Sequence, residues 1–392
     1  MDFYSFDCGA VPASVNISRF NGQNGVDEYH LMIQPTRYES IDAQLECIFK
    51  AYRKALDSIG LDMQTSVLRR FFCSDLVNQS TALKAQPFAN PQNNDMSCAV
   101  SWVGQSPAAP AKTAMWAYHI SDKNNKLDKI KSDASLRLRR GELSHYWTAG
   151  VTCPGDDTSY GQTQAILEHY DIFLKTHGMS LNDNVIRTWF FVQDIDANYQ
   201  GLVTARREFF AQRNLTQNTH FIASTGVEGM YADVSAKVTM DAYAVSGVRP
   251  EQLKFLSAPQ QISPTHIYGV TFERGVAVDH RDRRHVIISG TASIDRHGNI
   301  LYPGDVLRQL DRTLDNVEVL LAQADATFKD VCMLIVYVRD QADQATVRQR
   351  MRQRFGDAPT QVVTAAVCRP GWLVEVECKA IIPASNPKLP LF

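Results

Sequence analysis

The chain lacks most of the signals that settle a function at sight. Its eight cysteines (Cys8, Cys47, Cys73, Cys98, Cys153, Cys332, Cys368 and Cys378) are scattered and form no CxxC pair. That argues against a zinc site or a disulfide frame and for reduced thiols. No apolar run approaches a membrane span, so no membrane partner is expected. The opening MDFYSFDCGA lacks a charged stretch followed by an apolar core, and the expectation is a cytoplasmic chain without a secretory signal. Lys and Arg number 40 against 42 Asp and Glu, so no basic field recruits nucleic acid. No Walker or dinucleotide glycine motif occurs. The segment DHRDRRH (279–285) concentrates charge, but His280 and His285 lack helical i, i+4 spacing and no ligand set completes a metal site. It reads as a hairpin tip. No metal and no cofactor are expected.

What is present is one pattern, three times over, in a chain of ordinary globular composition: 392 residues, 44% hydrophobic and 21% charged. IDAQLECIFKAYRKALDSI (41–59) has Ile41, Leu45, Ile48, Tyr52, Ala55 and Ile59 at helical spacing. A second helix is predicted near 161–177, with Ile166, Tyr170 and Phe173 inward. A third carries Val306, Leu310, Leu314, Val317 and Leu321. Each runs into an apolar, aromatic-rich strand ending at Asp75, Asp194 or Asp340, then a second helix, then a closing strand. The order ββαβαβ predicts an α+β fold with helices on one sheet face. Units are expected at 1–125, 140–248 and 262–385. The charged stretch 121–135 and the Pro- and Gln-rich stretch 246–266 read as linkers, and VGQSPAAPAKTA as a loop inside the first unit.

The third unit reads SPTHIYG, HVIISGTASIDRHG, PGDVLRQLDRTLDNVEVLL, VYVRDQADQATVRQRM and CRPGWLVEVECKA. It resembles the RidA (YjgF) superfamily over roughly 265–383. The second unit, about 143–245, is similar but weaker. VIRTWFFVQDID and THFIASTGVEG, taken with SGTASI and CRPGWLVEVE, resemble the chorismatase branch of that superfamily. The resemblance implies a single-chain pseudo-trimer with helices outside a central sheet barrel and clefts between units. It leaves open whether the chain works as a monomer or as a weak homo-oligomer.

In the closing strand from Trp372, the residues Leu373, Glu375, Glu377 and Lys379 share one face. The resemblance gives Glu375 the acid/base role, with Glu377 a structural partner. Of the three closing strands only this one offers two glutamates: Thr239 falls where Glu375 falls and Asp241 where Glu377 falls, while the first strand (112–119) has no carboxylate. One working cleft and two degenerate ones are expected. A carboxyl deprived of water rises in pKa and holds a proton at working pH. Candidate substrate-binding residues are Tyr268, Arg274, Arg339, Cys368, and Gly290, Thr291 and Ala292 of SGTAS, with Ser224, Thr225, Gly226 and Glu228 of the second unit. The arginine that holds the carboxylate in RidA deaminases is replaced by Thr360 or Gln361, and the Pro-Arg-Pro-Pro segment of chorismatases is missing after Tyr268–Gly269.

The expected partner is a small carboxylated metabolite. Two reactions fit a cleft glutamate: hydrolysis of an imine or enamine, as in RidA deaminases, and protonation of an enol ether with pyruvate release, as in chorismatases. The alternative is a non-catalytic ligand-binding pseudo-trimer. A third reading, an RNA-acting protein of the endoribonuclease or translation-inhibitor kind, has no basic stripe with interleaved aromatics to support it.

Overall fold

The long helices of the computed structural model lie where the apolar spacing predicts them: Ile41–Ser58, Ser159–Thr176 and Val306–Ala322. Each starts at a side-chain cap, Ser40, Thr158 or Asp305, whose oxygen accepts a backbone N–H of the first turn. The structure describes residues 1–93, 98–124, 127–132 and 134–392, and of Tyr268 the backbone only.

Three mixed sheets follow the threefold pattern. In each, an apolar strand after the long helix (Ser66–Cys73, Val185–Val192 or Val331–Val338) lies antiparallel to its unit's closing strand. On its other side it pairs in parallel with a short strand, Ala99–Gly104, Ala223–Glu228 or Thr360–Thr364. Helices cover the outer faces, and each unit has its own helix-on-sheet core. A further core joins all three units: Trp116 and Tyr118 of the first, Trp147 and Tyr243 of the second, Ile287 and Met333 of the third. The chain is thus an α+β pseudo-trimer with its sheets turned inward.

A buried arginine–carboxylate pair crosses each interface of the ring. Arg70 of the first unit reaches Asp241 of the second at 2.7 Å. Arg187 of the second reaches Glu377 of the third at 2.6 Å. Arg283 of the third reaches Glu28 of the first at 2.6 Å. Burying a charge is costly unless it is paired, so removal of one member would cost about 3–5 kcal/mol.

Three expectations are corrected. The stretch 121–135 is no linker. It contains the strand Asp128–Ser132, which with Ser135–Arg140 extends the second sheet. Its lysines are the charges of an edge strand, and they are tied to the first unit: Lys129 Nζ donates to Ser66 O at 2.6 Å and Lys131 Nζ to Asn93 O at 2.8 Å. The stretch 246–266 likewise contributes an edge strand, Leu253–Phe255, to the third sheet. The loop of the first unit supplies a two-residue strand, Ser106–Pro107, that pairs with Thr360–Thr364 of the third.

The segment 279–285 does turn between two strands, Gly275–Asp279 and Arg283–Ala292, with Arg281 exposed at its apex, but Arg283 and His285 are buried against the first unit. His280, Arg283 and His285 are all enclosed, because Glu28 gathers Arg283, His285 and Lys379 around one carboxylate.

Candidate active site

Glu375 sits near the start of the closing strand Val374–Pro383, opposite Ala292 of the neighbouring strand. That neighbour, Arg283–Ala292, loses register between Ile288 and Thr291. The irregularity presents Gly290 beneath the carboxyl. A Cβ there would meet Glu375 Oε1 at 2.0 Å, so only glycine leaves room.

The opposite wall comes from the second unit. Strand Ala223–Glu228 crosses to the third sheet: Gly290 N donates to Thr225 Oγ1 at 2.9 Å and Ser224 N to Ser289 Oγ at 3.0 Å. Between the two lies a cleft lined by Glu375, Gly290, Ala292, Cys368, Trp372 and Arg274 of the third unit and Tyr199, Arg206, Ser224 and Gly226 of the second, with Phe272 and Ile294.

The two glutamates of the strand have opposite surroundings. Glu377 Oε2 accepts from Arg187 Nη2 at 2.6 Å and from the Thr225 hydroxyl, and Oε1 accepts from Trp189 Nε1 at 2.8 Å. The Glu375 carboxyl has no hydrogen-bond donor among the described residues. It is 5% exposed. Burial, reinforced by the Glu377 charge, raises it from 4.5 to about 8, with Arg274 and Arg187 pulling the other way. A carboxyl so placed holds a proton near neutral pH and can return it.

Cys368 lies half-buried in the cleft. Burial and the neighbouring Glu375 push its thiol up to about 12, so a thiolate nucleophile is disfavoured. Arg274 is buried at the rim, its Nε and Nη2 donating to Ser263 O at 3.2 and 2.7 Å and its guanidinium over the Phe272 ring. Arg339 does not line the cleft. Asp196 of the second unit clamps it in a bidentate pair, both contacts at 2.9 Å, and the carbonyl of Val367 takes a further bond. Thr291 and Thr225 are also turned away, Thr291 donating to Ser289 O and Thr225 to Glu377. Glu228 accepts from Ala366 N at 3.0 Å and so fastens the second unit to the third. Tyr268 ends the turn Thr265–Tyr268, and its side chain lies outside the described residues.

Two features escaped the sequence reading. Arg206 projects from helix Ile195–Ala211 into the cleft, 2% exposed, with Nε on Thr271 Oγ1 at 3.2 Å and Nη1 near Ser224 Oγ at 3.4 Å. The available signal was an arginine at the spacing of Leu202, Phe209 and Phe210, on the apolar face of its helix. The second is which strand faces Glu375. Thr360 and Gln361 line a different cleft, toward the first unit. The residue at the register of Thr360 in the Glu375 cleft is Ser224, since Ser224 pairs with Thr188 as Thr360 pairs with Leu334. The position still lacks an arginine, and Arg206 stands beside it.

At the other two interfaces the register of Glu375 falls to Thr239 and Ala114, both buried. Among the described residues, neither of the clefts there has an acidic residue in its lining.

Residues 274–382 match the family model described as Endoribonuclease L-PSP. A RutC family protein of Pyrococcus abyssi is 28% identical over 96 residues, which is 24% of this chain and 76% of that relative. A crystal structure of a chorismatase superposes with a TM-score of 0.62 at 18% identity, covering 81% of this chain and 93% of its own. The structure of RidA from the Antarctic bacterium Psychrobacter sp. covers 33% of this chain and 99% of its own, with 17% identity and a TM-score of 0.28. The chain joins three units of one α+β pattern. Residues 274–382, in the third unit, carry the pattern of the Endoribonuclease L-PSP family, and the whole chain is similar in fold to the chorismatase structure. No helix among the described residues is long and apolar enough to cross a membrane.

Proposed function

We propose that the cleft between the second and third units is the active site of a small-molecule enzyme, with Glu375 as general acid and base. Its substrate carries a carboxylate beside an imine, enamine or enol ether. The carboxylate lies toward the guanidiniums of Arg206 and Arg274, which bracket the cleft with Glu375 between the walls. Protonated Glu375 delivers its proton to the enol-ether or enamine carbon. The carboxylate then takes a proton from water as it adds to the resulting cation, and that proton goes to the leaving oxygen or nitrogen as the hemiketal or carbinolamine breaks its C–O or C–N bond to give the 2-oxo acid and the alcohol or ammonia. Gly290, having no Cβ, leaves the room that the carboxyl itself occupies beneath the cleft. Glu377 takes no part in proton transfer, because Arg187, Trp189 and Thr225 already occupy its oxygens.

The observation that carries this reading is the enclosed Glu375 carboxyl, free of donors among the described residues and raised to about 8. A structural strand glutamate is paired, as Glu377 is.

The test is turnover by purified protein on two substrates. Chorismate is followed for pyruvate release, and a 2-iminoacid generated in situ for faster ammonia release. Activity on either, lost in Glu375→Gln while substrate still binds, supports the reading. Saturable binding of a carboxylated ligand without turnover, unchanged by that substitution, favours a binding module instead. Equal activity of Glu375→Gln and wild type overturns the mechanism.

A further inference from the structure

The remaining interface, between the third unit and the first, holds a cleft of different character. Helix Gln344–Phe355 places Arg348 and Arg352 on one face, one turn apart. Across from them stand Asn16 of strand Ala13–Phe20 and the amides of Gln34 and Gln361. Gln361 Nε2 donates to Gln34 Oε1 at 3.3 Å, which stitches the rear wall across the two units. Among the described residues, the lining contains no aspartate or glutamate.

Other arginines of this helix are engaged. Arg350 bridges Asp311 at 2.7 Å, and Arg354 lies over the Phe328 ring. Arg348 is half-buried and Arg352 exposed, and neither guanidinium has an ion-pair or hydrogen-bond partner among the described residues. The Asn16 amide likewise has none among them. Two like charges one turn apart, one of them partly desolvated, repel each other. Burial and the Arg352 charge accordingly lower the Arg348 pKa.

We propose that this cleft is a binding site for a small oxyanion, a carboxylate or phosphate group, held between Arg348 and Arg352. An oxyanion there reverses the sign of the repulsion, and planar guanidiniums match its geometry. The Asn16 amide is placed to donate to it from the first unit. Occupancy ties the helix of the third unit to the strand of the first, so the anion stabilises the ring at this interface. With no acid in its wall, the cleft serves binding rather than proton transfer. This site is independent of the reading of Glu375.

The test is calorimetric titration of the full chain, at fixed ionic strength, with inorganic phosphate and separately with succinate. Wild type is compared with Arg352→Gln, an exposed change that leaves the core alone, with Arg348→Lys, and with Arg206→Met in the other cleft. One anion bound per chain, with a raised melting temperature and affinity reduced at least about tenfold in Arg352→Gln, is expected. Binding of phosphate alone identifies a phosphoryl ligand, and of succinate alone a carboxylate; both support the site. No saturable binding by either anion overturns it. So does binding that survives Arg352→Gln and is lost in Arg206→Met, which would place the anion beside Glu375.

Discussion

Glu375 and Gly290 define one another: the carboxyl occupies the space that any Cβ at position 290 would take, 2.0 Å from its Oε1. The glycine is therefore a condition of the acid's placement. Glu375 in turn is enclosed from above by residues of another unit.

Replacing Gly290 with alanine should displace Glu375 from the cleft. Turnover on any substrate of the wild type should fall by at least about a hundredfold, consistent with loss of a positioned acid/base group. Melting temperature should drop as well, because Thr225 Cγ2 stands 3.0 Å from the same Cβ. A crystal structure of the variant with Glu375 unmoved would contradict the account.

The Glu375 carboxyl should make stability fall as pH rises. Its folded value is about 8 against 4.5 for the ordinary group. Between these the folded chain keeps a proton that the unfolded chain has released. The contribution is complete below the unfolded value and is lost as pH rises through the folded one, at up to about 1.4 kcal/mol per pH unit. Urea unfolding of wild type and Glu375→Gln should give a stability difference that drifts across this window. A constant difference would mean that Glu375 is ionised throughout.

Glu377→Gln should act on Glu375 without touching it. Removal of the Glu377 charge takes away one of the influences that raise the Glu375 pKa and leaves Arg187 unpaired beside it. The Glu375 titration, followed by carboxyl NMR or by the pH–rate profile, should move to lower pH. Stability should fall by about 3–5 kcal/mol, the cost of orphaning a buried guanidinium. A variant that loses stability but keeps the wild-type titration would separate the two roles.

Arg206→Met and Arg274→Met should each weaken binding of a carboxylated ligand, by about 1.5–3 kcal/mol for a charged hydrogen bond lost. A neutral amide analogue of that ligand should bind wild type and both variants alike. Arg339→Met should leave ligand affinity unchanged, since its partner is Asp196. Equal losses from all three would mean that the effect is structural.

Much of the fold was legible because its signals are local. The spacing of Leu45, Ile48 and Tyr52, or of Leu310, Leu314 and Val317, forms a helix face within a few turns, and those residues are buried as expected. The alternation from Trp372 put Val374, Val376 and Cys378 into one core and Glu375 and Glu377 on the opposite face. The stretch 121–135 misled because charge marks an edge strand as readily as it marks a linker. Arg339 misled because its ion-pair partner, Asp196, is far away in sequence and belongs to another unit.

The site divides along the same line. The sequence by itself determined that the chain repeats one α+β pattern and that only the third closing strand bears two glutamates. It also put glycine and small side chains in the strand alongside. Tertiary structure alone decided which glutamate is paired and which is bare, because Arg187 and Thr225 reach Glu377 from another unit. It likewise brought Arg206 into the cleft and set Arg283 on Glu28. The physical reason is that periodicity is written in the backbone geometry of neighbouring residues. Whether a carboxyl is charged or protonated depends instead on the water and the counter-charges that remain once the three units have closed around it.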